Sequence, residues 1–189
     1  MDSWNLHADP APGLTRPVPV DPAGRLGPTK GQARGPFWRR TSTGLYVPSH
    51  VDRGQVEQRI LEEAGRLRGP GAVTGWAALR LHGAGYFDGL TADGSTELPV
   101  PLVVAPGTPL RSTPGTEVHR ERLDEAEVRH RHGIACTTPL RAAFDAARRA
   151  PGLRAAVVVL DMARHPVSSD APRCGSTSSR KPAGRACGR

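Results

Sequence analysis

The sequence predicts an α+β domain: a short N-terminal hairpin, a helical pair, a small sheet and two C-terminal helices, between disordered ends. Three observations carry that prediction. Apolar residues recur at helical spacing in four segments, short β-prone runs lie between them, and the character of the chain changes abruptly after His165. Beyond that point, Pro166 to Arg189 is rich in Ser, Pro, Gly and Arg and holds one large aliphatic residue, Val167. The expected division is therefore a Pro/Gly-rich arm over 1–35, an α+β domain over 36–164 and a disordered, out-of-frame tail over 165–189.

From Met1 to about Gly35, prolines and glycines recur every few residues, which excludes a long helix and leaves an extended or disordered arm, one that can still dock on the domain. Phe37 to Pro48 has two β-prone runs around Ser42-Thr43-Gly44 and reads as a hairpin. Asp52 is the expected N-cap of a helix reaching about Leu67. Val56, Ile60, Leu61, Ala64 and Leu67 form its apolar stripe, with Gln55, Glu57, Arg59 and Glu63 off it. Gly69-Pro70-Gly71 ends that helix. A shorter one opens at Thr74, buries Trp76, Ala77, Leu79 and Leu81, and stops at Gly83, so that the two make a helical hairpin.

Leu98 to Val104 reads as a strand whose prolines place it at an edge. Two more strands are expected over Glu117–Leu123 and Ala126–Ala135. In the first, Val118 and Leu123 are spaced by five, which strict alternation does not explain. Thr138 caps a helix with Pro139 at its first position and Leu140, Ala143, Phe144 and Ala147 on the buried side. The last helix runs from Leu153 to Arg164, with Leu153, Ala156, Val157 and Leu160 apolar.

The formal net charge of +8 sits mostly in the tail. From Arg164 onward six basic residues face Asp170 alone, which leaves +3 for residues 1–163, an unremarkable balance. Lysine occurs only at Lys30 and Lys181, the arginine bias that GC-rich coding produces. The chain has no run of eighteen apolar residues and no basic-then-apolar leader, so neither a membrane span nor a signal peptide is expected. Cys136, Cys174 and Cys187 form no CxxC pair, which suits a reducing, cytoplasmic compartment.

Candidate chemistry is sparse. His130, His132 and Cys136 have a spacing that invites a zinc reading, but structural zinc sites take four ligands and no second Cys/His pair accompanies them; the plainer reading is an exposed basic strand. No G-x-S-x-G elbow or phosphate-cradling glycine loop is present. Asp145 and Asp161 lie on consecutive helices as a possible carboxylate pair, against the plainer reading of solvated ion pairs. Arg120-Glu121-Arg122 and Arg129-His130-Arg131-His132 add little to a phosphate-binding case. Trp38-Arg39-Arg40 is the best nucleic-acid candidate, because a hairpin can present the guanidinium groups of Arg39 and Arg40 to phosphates while the aromatic anchors it. No catalytic, cofactor-binding or metal-binding residue is assigned.

The block Gly31-Gln32-Ala33-Arg34-Gly35-Pro36-Phe37-Trp38-Arg39-Arg40-Thr41, then Gly44-Leu45-Tyr46-Val47-Pro48, then Ala72 to Gly83, resembles actinobacterial proteins of the AbiEi-type antitoxin group. Thr137 to Asp145 and Val157 to Ala163 extend the resemblance, which spans about Gly27 to Arg164. In such proteins this region precedes a Vsr-like endonuclease domain of the restriction-endonuclease fold, or, in antitoxins proper, follows a winged-helix unit that represses its own operon. The proline-rich arm cannot supply the helices of a winged helix. Neither lysine belongs to the D/E-x-K element such nucleases use, since Pro28-Thr29 precedes Lys30 and Ser179-Arg180 precedes Lys181.

The resemblance therefore implies a non-catalytic domain of a DNA-associated defence or endonuclease protein, with the cutting part missing through truncation or frameshift. The alternatives are an intact antitoxin or regulator that holds DNA through its hairpin, and a toxin-neutralising interaction domain. The expected partners are DNA or a cognate toxin, without membrane or small-molecule cofactor.

Overall fold

Residues 11–164 are described by a computed structural model of the chain, and their architecture is α+β, with helices set against two sheets. The smaller sheet has the order β1-β3-β2 and is antiparallel, from Val18–Pro19 (β1), Trp38–Ser42 (β2) and Leu45–Pro48 (β3). The expected hairpin is β2–β3, turning through Gly44 at a positive φ of 76°. The arm docks through β1. Leu14 is buried, and the Thr15 N–H and C=O are both held by the Gln58 amide, at 2.8 and 2.9 Å. Prolines that forbid helix thus leave a fixed segment, because Gln58 and β3 satisfy its backbone.

Helix α1, Val56–Ala64, is shorter than the sequence suggests. Asp52 does not cap it: its carboxylate accepts from the Gly54 N–H at 2.7 Å, closing a turn ahead of the helix, and Gln55 takes the cap position. The polar side of α1 is not solvated either. Gln58, Arg59, Glu62 and Glu63 are all buried alongside Ile60 and Leu61, so α1 is a central element with both faces covered.

No helical hairpin follows, because β4, Gly71–Val73, stands between α1 and α2, Gly75–Leu81. Three residues are too few to show a period, and their glycine reads as helix punctuation. Gly71 is needed there: a Cβ would lie 2.9 Å from the Val103 carbonyl oxygen and 3.0 Å from Val104 Cγ1. The larger sheet has the order β6-β5-β4-β8-β7, from Val100–Val104 (β5), Thr116–Arg120 (β6), Val128–Arg131 (β7) and Ile134–Thr137 (β8).

Strand β5 is not an edge. It pairs with β6 on one side and β4 on the other, and all five of its residues are buried. Pro101 is tolerated because the ladder to β4 covers only Leu102 to Val104; beyond it, the Pro101 carbonyl accepts from Thr74 N–H at 2.9 Å. Strand β6 ends at Arg120, which resolves the odd spacing: Val118 packs on the main core and Leu123, past the strand, on a second cluster with Ala72, Val103 and Ala135. The single strand expected over 126–135 is instead a hairpin, β7–β8, turning at His132 (φ 52°) and Gly133 (φ 71°).

Helix α3, Pro139–Arg148, starts as expected, with the Thr138 hydroxyl accepting from Arg141 N–H and Pro139 in the first turn. Its buried side differs. Ala142 and Asp145 face inward, Ala143 and Ala146 are half-buried, and Leu140 and Phe144 are 83% and 57% exposed. Helix α4, Leu153–Arg164, turns Val159, Met162 and Ala163 to the core and leaves Leu153, Val157, Val158 and Leu160 outside. The tail expectation lies outside the described residues. Among the described residues, no helix is long and apolar enough to cross a membrane.

Candidate functional site

Arg39 and Arg40 are neighbours on β2, so their side chains leave opposite faces of the hairpin. Arg39 turns toward α1 and grips Glu62 with both terminal nitrogens, at 2.7 and 2.8 Å. The Glu62 hydrogen bond outweighs partial burial and raises Arg39 above the ordinary arginine value. Glu62 is 2% exposed and also accepts from the Gln58 amide at 3.0 Å. Arg39 is therefore a latch that ties hairpin to helix. Arg40 is exposed, its Nε donating to the Ser42 carbonyl at 3.1 Å, and it leaves its guanidinium tip on the surface.

The densest charge cluster joins α3 to the larger sheet. Asp145 is fully buried and accepts from the Thr74 hydroxyl at 2.6 Å and from Arg141 Nε at 3.1 Å; Arg148 lies at 3.1 Å and Arg149 at 3.6 Å. Arg141 also reaches Glu127 and Glu121, while Arg148 and Arg149 both reach Glu121. Three guanidinium groups thus meet three carboxylates, and the cluster is neutral. Burial alone would raise Glu121, but Arg148 and Arg149 overcome it and hold that carboxyl below the ordinary glutamate range.

Asp145 and Asp161 do not form the carboxylate pair their helices make possible: Asp161, on α4, is exposed and takes no part in this cluster. The sequence offers a partial signal for the hub, since Arg141, Arg148 and Arg149 stand four, three and four residues from Asp145 on one helix. Its partner Thr74 is 71 residues away and carries no such signal.

The residues of the zinc reading part company. His130 and His132 are exposed on β7 and its turn, whereas Cys136 is fully buried on β8. The near neighbour of Cys136 is His82, whose Nε2 lies 3.7 Å from Sγ and donates to the Thr137 carbonyl at 2.8 Å. Burial pushes the Cys136 thiol up to about 11. Burial also lowers His82, and Arg129 and Arg131 act in the same direction. Among the described residues, no group of three His, Cys, Asp or Glu is placed to hold a metal.

No family model, curated protein or solved structure matches the chain. A cleft of about 530 Å³ lies between the docked arm, the end of α1 and the β7–β8 turn, lined by Arg16, Pro17, Leu45, Leu67, Arg68 and Ile134 among others. Its arginines have structural bonds: Arg16 donates to the Gly133 carbonyl and Arg68 to the Thr43 carbonyl. The more unusual surface is on α3 and α4. There Leu140, Phe144, Leu153, Val157, Val158 and Leu160 are each 46% to 83% exposed on two adjoining helices.

Proposed function

We propose that this chain is a non-catalytic binding domain, the AbiEi-antitoxin-like module of a DNA-associated defence or endonuclease protein. The observation that supports this reading is how its reactive-looking groups are spent. Asp145 is closed off from solvent under three arginines and a threonine, and Glu62 and Glu63 are likewise buried against Arg39 and Thr116. A carboxylate saturated by structural partners has no open valence for a substrate or a water. What remains available for function is the surface.

For DNA the contact assigned to the hairpin narrows from two residues to one. Arg40 offers its tip to a phosphate, and Arg39 keeps Arg40 in place by fixing β2 on α1. The test is a titration of duplex DNA from the cognate promoter over a range of salt concentrations. Binding should weaken with salt, and Arg40→Ala should lower the log–log slope by about one phosphate contact. An unchanged slope in Arg40→Ala removes the hairpin from the interface.

The reading as a protein-binding domain is favoured by a separate observation, the apolar face of α3 and α4. At concentrations low enough to keep the folded chain monomeric, a face of that composition should bind the dye 8-anilinonaphthalene sulfonate, and replacing Leu140 and Leu153 by Ser should cut the fluorescence while leaving the circular dichroism unchanged. Equal fluorescence in the folded double variant rules this face out as the sticky surface.

A further inference from the structure

We infer that the apolar face of α3 and α4 is covered by a second copy of this chain, with α4 packed antiparallel on its twofold-related counterpart. The inference rests on the reading of that face as a docking surface and is independent of the DNA reading. Its outward residues on α4 are Leu153, Arg154, Val157, Val158, Leu160, Asp161 and, at the last position, Arg164. Leu153, Val157 and Leu160 stand four and three residues apart, the spacing of a seam that meets another helix. On the adjoining α3, Leu140 and Phe144 are exposed as well, Phe144 with the Arg148 guanidinium 5.3 Å from its ring centroid.

Charge placement selects the occupant. Arg154 and Asp161 are seven residues apart, two turns, and so lie along one line of the helix. They are also equidistant from the Val157–Val158 bond. Turning the helix end for end about that point lays Arg154 beside Asp161 of the second copy and Asp161 beside its Arg154, so that one twofold operation creates two opposite-charge contacts flanking a valine pair. A parallel twofold pairing would carry the two charged lines to opposite sides of the seam and leave Arg154 and Asp161 without partners. The self-complementarity is a property of this one helix face.

The size of the patch agrees. With roughly 100 Å² of apolar surface per large side chain, the six exposed fractions give on the order of 400 Å². That is about half of the roughly 800 Å² each partner buries in a stable interface, an apolar centre that leaves the rest to a polar rim. The chain's own following segment is a poorer cover, since Val167 is the one large aliphatic residue in 166–189.

Sedimentation velocity of the full chain under reducing conditions tests this. The chain should sediment as a dimer at micromolar concentrations and dissociate on dilution. Arg154→Asp and Asp161→Arg should each weaken the dimer about tenfold, by placing like charges together. The double variant carrying both substitutions should return to within about threefold of the wild type, because the pair is restored with its signs exchanged. Leu160→Glu should abolish association, with circular dichroism confirming that each variant is folded. A monomer at every concentration overturns the inference while leaving the docking reading to the dye experiment. A dimer indifferent to the single charge changes, or a double variant that fails to recover, overturns it as well.

Discussion

Replacing Asp145 by asparagine keeps the shape of the side chain and removes its charge, and the surroundings set the cost. The carboxylate is fully buried, accepts from Thr74 at 2.6 Å and Arg141 at 3.1 Å, and lies within 3.6 Å of Arg148 and Arg149. Asparagine still accepts from Thr74, but it turns an amide toward guanidinium groups and leaves a neutral cluster with one excess positive charge. Breaking a buried pair from one side costs about 3–5 kcal/mol. The arginine side chains are 14%, 36% and 21% exposed, so water and Glu121 recover part of that loss. The expected cost is then about 3 kcal/mol, or roughly 6–12 °C in Tm for a domain of this size. Urea unfolding followed by circular dichroism measures it, with Glu125→Gln as the exposed control. If Asp145→Asn and Glu125→Gln unfold alike, the cluster does not hold α3 to the sheet and the structural reading of Asp145 is wrong.

Arg39→Ala should cost about 2 kcal/mol by stranding the buried Glu62, while Arg40→Ala stays within about 0.5 kcal/mol, and paired urea curves separate them. His82 and His119 are both lowered by burial, so the folded chain takes up protons less readily than the unfolded one. Their contribution is complete above the ordinary histidine range and is lost as pH falls through the lowered folded values; His82→Gln should flatten that stability–pH slope. Cys136, with its thiol raised to about 11, should resist iodoacetamide at neutral pH in a Cys174→Ser/Cys187→Ser background and react once urea unfolds the chain. Gly89→Ala should destabilise by more than about 2 kcal/mol in the same urea assay, because φ is +73° and a Cβ would lie 2.4 Å from Trp76 and 2.0 Å from Arg59.

Where local chemistry decides an element, the sequence was sufficient. The β2–β3 hairpin, the start of α2 at Thr74 and the Thr138-Pro139 opening of α3 depend on neighbours within a few residues, and they stand where the sequence puts them. The failures share a different cause. Strand β4 exists because β5 and β8 pair with it, and its three residues carry no period of their own. On α3 the apolar spacing marks the wrong side as buried, whereas on α4 Leu153, Val157 and Leu160 are exposed, as expected of a helix with no covering layer after it. Asp145 instead needs Thr74 and the arginines, so α3 turns that residue inward and Leu140 and Phe144 outward. On α1 the sequence sets Gln55, Glu57, Arg59 and Glu63 off the apolar stripe; the fold leaves Gln55 exposed but buries Arg59 on the Gly89 carbonyl and Glu63 on the Thr116 hydroxyl, partners from far along the chain. The Arg39–Arg40 pair was visible as a pair; that one is a latch and the other a surface group depends on Glu62, which only the fold brings near.

On the proposed reading this chain acts by binding and carries out no chemistry of its own. Incubating the full chain with duplex DNA from its own promoter, in Mg²⁺ and in Mn²⁺, and resolving the products on a denaturing gel checks that reading at its root. DNA of unchanged length is expected at every protein concentration. Discrete cleavage products that disappear in Asp145→Asn would contradict it, because they would make the buried carboxylate a working acid.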